Sequence, residues 1–282
     1  LKIIWVYENI SEKDFFYSKL DTLLLLSSAI QWKKHHPEHT TTLHCDDLTK
    51  AFLDNLNALS VWDEVILLPK NKFINKNIFW ASSKAQVLRS VKEPVVIMDH
   101  DFLVYNNLSK YLNTKTIFAH EEDGTRYYPT ASDPFIGEIT DMIPRPQPYA
   151  INCCFCYFPD YKFTNNYAEF ALQLMTRFTD LKVPNSKFLI FAEQLSLKYL
   201  LDYHNVSYDT LMQEIFMSNE KKFVSYDKGL IPKNEVYKYF RHYWMDKPDI
   251  RKDESSIEYT TLKNIIKQKK VINLEPINDL KS

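Results

Sequence analysis

Through the first hundred residues, short unbroken apolar runs alternate with longer stretches of helical spacing. Lys2–Tyr7 (KIIWVY) reads as a strand, and residues 13–34 space Phe16, Leu20, Leu23, Leu24 and Ala29 for an amphipathic helix. Pro37 ends that helix; residues 41–44 predict a second strand, 48–56 a second helix, 64–68 a third strand and 79–90 a third helix. Val95–Met98 is a fully apolar run of the kind buried on both faces of a parallel sheet. Strand and helix alternating in this way predict an α/β fold with a mostly parallel sheet flanked by helices. In such folds ligands bind just past the carboxyl ends of the strands.

Beyond Asn113 the pattern changes. Residues 117–120 predict a short strand, 121–148 a loop-rich stretch stiffened by Pro144, Pro146 and Pro148, and 149–158 one continuous strand. Helices are predicted over 166–178 and 193–203, and a short strand over 223–226. After Tyr243 and Trp244 the chain becomes charged, with one weakly amphipathic helix over 256–267. The expected organisation is a single domain over 1–248, made of a nucleotide-binding-type half, 1–113, and a mixed half, 114–248. A charged tail over 249–282 follows.

A formal net charge of -1 over 282 residues gives no broad basic footprint, so nucleic acid is not expected as a partner. Glycine occurs only at Gly124, Gly137 and Gly229, which excludes both the dinucleotide fingerprint and the P-loop. A nucleotide would need another device, and a metal-bridged pyrophosphate fills that need. Cys45, Cys153, Cys154 and Cys156 contain one C-x-x-C but no partner at zinc-finger spacing, so they read as reduced and buried. His35, His36 and His39 follow two lysines and read as a solvated helix end rather than a zinc site. The apolar run at Leu23 to Leu26 is far short of the ~20 residues a bilayer requires. The expected placement is cytoplasmic, with membrane-peripheral association left open; Leu1 is not an initiator methionine, which leaves an earlier start open too.

Candidate chemistry lies at the end of the Val95–Met98 run, where Asp99 and Asp101 flank His100. Where a strand unravels, two such carboxylates can converge on one hard divalent cation, Mg²⁺ or Mn²⁺, which would bridge phosphate oxygens. The plainer alternative is that Asp-His-Asp caps the next turn. If the strand continued, His100 would point away from both aspartates, and it is not assigned as a ligand.

The order of signals over about residues 1–248 resembles the GT-A glycosyltransferases, with their D-x-D at the end of a central strand. FWASSKAQVLRSVKEPVVIMDHDFLVY is similar to the helix-plus-strand block of the glycogenin-like and bacterial galactosyltransferase group, and of related bacterial and viral proteins. That resemblance implies a GT-A-like, Rossmann-like sheet whose first half binds a nucleotide sugar and whose second half faces the acceptor. It makes Lys84 the basic residue that reaches the donor; read alone, Lys84 is a solvated helix lysine. INCCFCYFPD resembles the family's Asn-Ala-Gly strand and implies that Asn152 faces the donor sugar, with Cys153-Cys154 replacing the small pair. FAEQLSL resembles the acidic-Gln segment near the anomeric carbon, implying catalytic roles for Glu193 and Gln194; read alone, Glu193 is a charge at a helix N-terminus.

HYWMDKPD resembles the late His-x-x-Gly-x-x-Lys-Pro motif, without its glycine and one residue shorter. It implies that His242 completes the metal shell of Asp99 and Asp101, and that Lys247 contacts the diphosphate. By fold analogy, Tyr7, Glu8 and Asn9 would face base and ribose, or else are ordinary loop residues. The implied activity is metal-dependent transfer of a hexose from a nucleotide sugar, with UDP as the expected nucleotide and Mn²⁺ or Mg²⁺ as cofactor. The acceptor would be a hydroxyl of a glycan, lipid or protein, and retention of configuration is expected. Two alternatives remain: a sugar nucleotidyltransferase, against which WVYENISEKD lacks a glycine-rich loop, and a degenerate non-catalytic sugar-binding protein.

Overall fold

The computed structural model describes residues 1–9, 18–70, 73–123, 149–179, 191–217, 220–226 and 228–280. Thirteen strands are present among them: β1 Lys2–Tyr7, β2 Thr40–Cys45, β3 Glu64–Leu67, β4 Val95–Met98, β5 Phe102–Val104, β6 Thr116–Phe118, β7 Glu121–Asp123, β8 Tyr149–Ile151, β9 Phe155–Phe158, β10 Tyr208–Thr210, β11 Glu214–Met217, β12 Lys222–Ser225 and β13 Phe240–His242. The helices are α1 Lys19–His35, α2 Asp47–Asn55, α3 Ser82–Leu88, α4 Tyr161–Arg177, α5 Ser196–Tyr203, α6 Val236–Tyr239, α7 Lys247–Lys252 and α8 Ile257–Lys267. A seven-stranded, mostly parallel sheet runs in the order β10-β6-β9-β4-β1-β2-β3, a smaller one in the order β12-β11-β7-β8, and β13 pairs with β5. This is the α/β architecture that the alternation of runs predicts. No helix among the described residues is long and apolar enough to cross a membrane.

The chain divides into two compact units, the first made of Leu1–Pro69, Val96–Lys110 and Glu235–Ser282. In it, β1 pairs in parallel with β2 (Tyr7 beside Cys45) and β2 with β3 (Cys45 beside Leu67). Because β1, β2 and β3 run to one side and β4 lies on the other side of β1, the strand order reverses between β1 and β4. Such a switch point is where open α/β sheets leave a crevice for ligand. Strand β3 closes the sheet edge, which is why Ile66 and Leu67 are exposed where the apolar run suggested a covered strand.

Helix α1 departs from the amphipathic expectation, for every residue from Leu20 to Trp32 is buried. It packs against both β5 and α8, and a helix covered on several sides must be apolar all round. Its first turn carries a capping box in which Ser18 Oγ accepts from Asp21 N and the Asp21 carboxylate accepts from Ser18. The segment expected as a tail is part of this unit: α8 starts at the Ser256 cap and buries Tyr259, Leu262, Ile265 and Ile266.

The His35 to His39 cluster differs from the solvated helix end expected. His36 is fully buried, stacks on Trp32 at 4.2 Å between ring centroids, and accepts from Leu108 N at 2.7 Å through Nε2. An imidazole that accepts an amide must be neutral; burial, with His39 nearby, lowers its pKa to about 4.

The second unit is Lys70–Val95 with Tyr111–Asn234. Its helices α3 and α4 pack together, and β6 pairs with β9 antiparallel and with β10 in parallel. The 149–158 run is not one strand. Asn152 Oδ1 accepts from Cys154 N at 3.0 Å, a side-chain turn that breaks the run into β8 and β9 and delivers them to different sheets. Residues 121–123, expected as loop, form β7 between β11 and β8. The proline-spaced connector at 144–148 lies outside the described residues. All four cysteines are free thiols and buried.

Candidate active site

Predicted site residues gather in two constellations, one within each unit. In the first, β4 ends at Met98 and the chain turns at once, Phe102 N donating to Asp99 O at 3.2 Å. The turn suspends strand alternation, so His100, expected to point away, approaches the same cluster as Asp101. Strand β5 then pairs with β13, His242 standing opposite Phe102. This register carries the late segment to the strand-end motif, and Tyr243 N donates to Asp101 O at 2.9 Å. Asp101 is buried, while Asp99 and His242 are half-buried.

The resulting cluster is electrostatically dense. Asp101 Oδ1 lies 3.5 Å from His242 Nε2, and Asp101 Oδ2 lies 2.8 Å from Lys247 Nζ. The Lys247 ammonium also reaches His100 Nε2 at 2.9 Å and Asp21 Oδ1 at 3.3 Å. Asp21 in turn accepts from Arg251 Nη2 at 2.8 and 3.1 Å. Burial on its own would raise the Asp101 pKa, but the Lys247 charge and His242 outweigh it and hold the carboxyl well below the usual range. Asp21 shows the same competition, burial opposed chiefly by His100 and Lys247, and it too is held down. Burial opposes the Lys247 charge, yet the two carboxylates raise its pKa above the ordinary lysine value.

The donor set suits a divalent cation chemically. Two ligands ~2.1 Å from one ion stand roughly 3.0–3.4 Å apart, for angles from octahedral to tetrahedral, and Asp101 Oδ1 and His242 Nε2 are 3.5 Å apart. The set is not a finished cage, however, for no three His, Cys, Asp or Glu side chains among the described residues are gathered to hold a metal. Asp101 Oδ2 is occupied by an ammonium.

Tyr7 and Asn9 end β1 in the same unit. Tyr7 is buried, its ring edge-on to His100 at 5.2 Å, and Asn9 N donates to Asp46 Oδ2 at 2.5 Å, tying the end of β1 to the N-cap of α2. Glu8, between them, is half-buried.

The second constellation joins Lys84 to Glu193. Lys84 is not a solvated lysine: its Nζ lies 2.8 Å from Glu193 Oε1 and 3.2 Å from Cys153 O, with both side chains largely buried. Glu193 and Gln194 sit in a single π-helical turn, Phe191–Leu195, ahead of α5, and such turns recur at functional sites. Tyr167 Oη donates to Glu193 O at 2.9 Å and fixes that turn. Asn152 is held at both ends of its amide, accepting from Cys154 N and donating to Glu122 Oε1 at 2.5 Å. Burial, reinforced by Cys156 alongside, raises the Cys153 pKa and keeps it a packed thiol.

No protein-family model and no curated protein matches the chain. Among solved structures it is similar to the galactosyltransferase LgtC in complex with donor and acceptor sugar analogs, at 10% identity, covering 69% of this chain and 71% of that one with a TM-score of 0.42. It is also similar to the glycosyltransferase GlyE of Streptococcus pneumoniae TIGR4, at 11% identity, covering 75% of this chain and 45% of that one with a TM-score of 0.41.

Three polar residues of the first constellation were not found by sequence reasoning: Asp21, Arg251 and, as a neighbour of Lys247, His100. Ser18 and Asp21 do carry a signal, the spacing of a capping box before an apolar run. What the spacing could not show is that the capping carboxylate also faces a lysine 226 positions later, at 3.3 Å.

Proposed function

We propose that this chain is a cation-dependent glycosyltransferase that moves a hexose from a nucleotide sugar, with UDP as the nucleotide, to a hydroxyl of a glycan, lipid or protein acceptor, with retention. One observation carries the reading: past the carboxyl end of β4, beside the strand-order reversal, Asp101 is gathered with His242 and Lys247 from a segment about 140 residues later. A carboxylate, an imidazole and an ammonium at a switch point suit a cation and a diphosphate together.

Asp101 and His242 would hold Mn²⁺ or Mg²⁺, and Asp99, two residues before Asp101, is assigned to the same cation. Bound there, the cation would supply Lewis acidity that offsets charge on the departing diphosphate. Lys247 adds a second positive charge for the same oxygens. Tyr7, Glu8 and Asn9 are assigned to base and ribose, and Asn152 to the donor sugar, its amide held by Glu122 and Cys154. Lys84 is assigned to the donor, with Glu193 and Gln194 on the acceptor side. In the reaction the bond from the anomeric carbon to the diphosphate would break, the nucleoside diphosphate leaving with the bonding electrons, and the acceptor oxygen would bond to that carbon on the same face as its hydroxyl proton passes to the departing diphosphate oxygen.

The test is donor hydrolysis, water standing in for the unidentified acceptor. The protein is incubated with a panel of UDP-hexoses and Mn²⁺, and free sugar, UDP and pyrophosphate are measured. Free sugar with UDP, lost on chelation and regained with Mn²⁺, is expected. In a parallel incubation with UTP and hexose 1-phosphates, pyrophosphate release would instead favour a nucleotidyltransferase, and no turnover in either incubation would favour a binding protein.

A further inference from the structure

Lys247 is closely engaged within the first unit. Its ammonium has three N–H donors and is surrounded by Asp101 Oδ2 at 2.8 Å, Asp21 Oδ1 at 3.3 Å and the His100 Nε2 atom at 2.9 Å. The side chain is 15% exposed. An ammonium is a fixed, mobile-headed positive charge on a flexible stem, able to move between partners without moving the backbone. A cation held by Asp101 Oδ1 and His242 Nε2 would share a carboxylate whose other oxygen, Oδ2, the Lys247 ammonium holds at 2.8 Å, and the two positive charges would repel across it.

The charge tally shows what must accompany an exchange. Asp21 and Asp101 are negative, Lys247 and Arg251 positive, so the four cancel. A divalent ion entering alone adds two positive charges to a set of linked side chains whose own charges already cancel. A diphosphate entering with it restores the balance and offers the displaced ammonium new oxygen partners. Asp21, itself tied to Arg251 at 2.8 Å and to Ser18 Oγ at 2.7 Å, is a pivot that keeps Lys247 within reach during the exchange.

We propose that Lys247 is the resident counter-ion of Asp101, holding the cation position closed until a nucleoside diphosphate draws the ammonium away, so that cation and diphosphate bind only as a pair. The inference rests on the cation-and-diphosphate reading of this site and adds an order to it. Free divalent ions are kept off the carboxylate, and the site assembles only around the donor's diphosphate.

The experiment is calorimetric titration of the full chain with Mn²⁺, alone and in the presence of UDP. Wild type binds Mn²⁺ alone weakly, and UDP raises Mn²⁺ affinity at least about fivefold, within the range usual for coupled sites. Lys247→Met binds Mn²⁺ alone at least about fivefold more tightly than wild type and loses most of the UDP effect. Since Lys247→Met leaves two carboxylates facing an apolar chain, Lys247→Gln is run beside it; it keeps a hydrogen-bond donor without the charge, and the same gain is expected. Unchanged or weaker Mn²⁺ binding by the neutral variants, in a wild-type background that binds UDP with Mn²⁺, overturns this inference and leaves the proposed function standing. A wild type that binds no UDP with Mn²⁺ overturns both.

Discussion

Asp101 is where sequence and structure meet most closely. Its place after an apolar strand is legible from residue order, His242 and Lys247 only through the resemblance to the late GT-A motif, and the chain brings all three together. Asp21 and His100 were not legible. Their roles depend on a turn that cancels alternation and on pairings across the length of the chain, which no local pattern encodes. The resemblance singles out Lys84 but not its partner: the ion pair with Glu193 appears only once α3 and the π-helical turn are folded. That pairing distinguishes Glu193 from its neighbour. Lys84→Met leaves the buried Glu193 without its ammonium, so a weakened donor complex and some loss of stability are expected together. Gln194→Ala is expected to lower the rate of donor hydrolysis at least ~10-fold while changing UDP affinity little, the pattern of a group that matters mainly in the transition state. A parallel loss of UDP affinity and rate would move Gln194 to the donor-binding shell.

At the scale of elements, the first hundred residues read well because short buried strands and helices alternate there with little ambiguity. The second half read less well because side chains, rather than periodicity, set its boundaries. Asn152 splits the 149–158 run, and β7 is built from Glu121, Glu122 and Asp123, residues that few strands contain. The C-terminal helix is the clearest case of a local pattern seen without its meaning. Residues 256–267 were read as weakly amphipathic, but their apolar stripe covers α1, the helix that flanks the strand-end turn. Leu262 is fully buried, so Leu262→Ala is expected to cost about 2–5 kcal/mol by urea unfolding. A loss under about 0.5 kcal/mol, the level of a surface change, would show that α8 is dispensable. Ser28 on α1 accepts from Trp5 Nε1 at 3.0 Å and donates to Phe102 O at 2.7 Å, joining β1, α1 and β5 in one buried relay. Ser28→Ala leaves an indole N–H and a carbonyl unsatisfied, for an expected loss of roughly 1–3 kcal/mol; an unchanged unfolding midpoint would contradict the relay.

For the whole molecule, burial ties stability to pH. His36 and His44 both have pKa values lowered to about 4, in each case first by burial, with His39 adding at His36 and Lys2 at His44. In the unfolded chain they titrate near 6.5, so between about pH 6.5 and 4 the unfolded state binds more protons. Stability is therefore complete above pH 6.5 and falls as pH drops towards 4. Thermal midpoints measured from pH 7.5 to 4.5 should fall, and His36→Gln, which can still accept from Leu108 N, should fall less steeply. A flat profile would mean that these rings are solvated in the folded chain.

The proposed role of Asp101, anchoring a cation and a diphosphate at the switch point of the sheet, is open to test by calorimetric titration of UDP in the presence of Mn²⁺. Wild type is compared with Asp101→Asn, which keeps the shape of the side chain, after circular dichroism has shown both to be folded. UDP binding should require Mn²⁺ in the wild type and be weakened at least ~10-fold in the variant, the scale reached when a group that orients a metal is lost. Equal UDP affinity and equal Mn²⁺ dependence in the two proteins would contradict it.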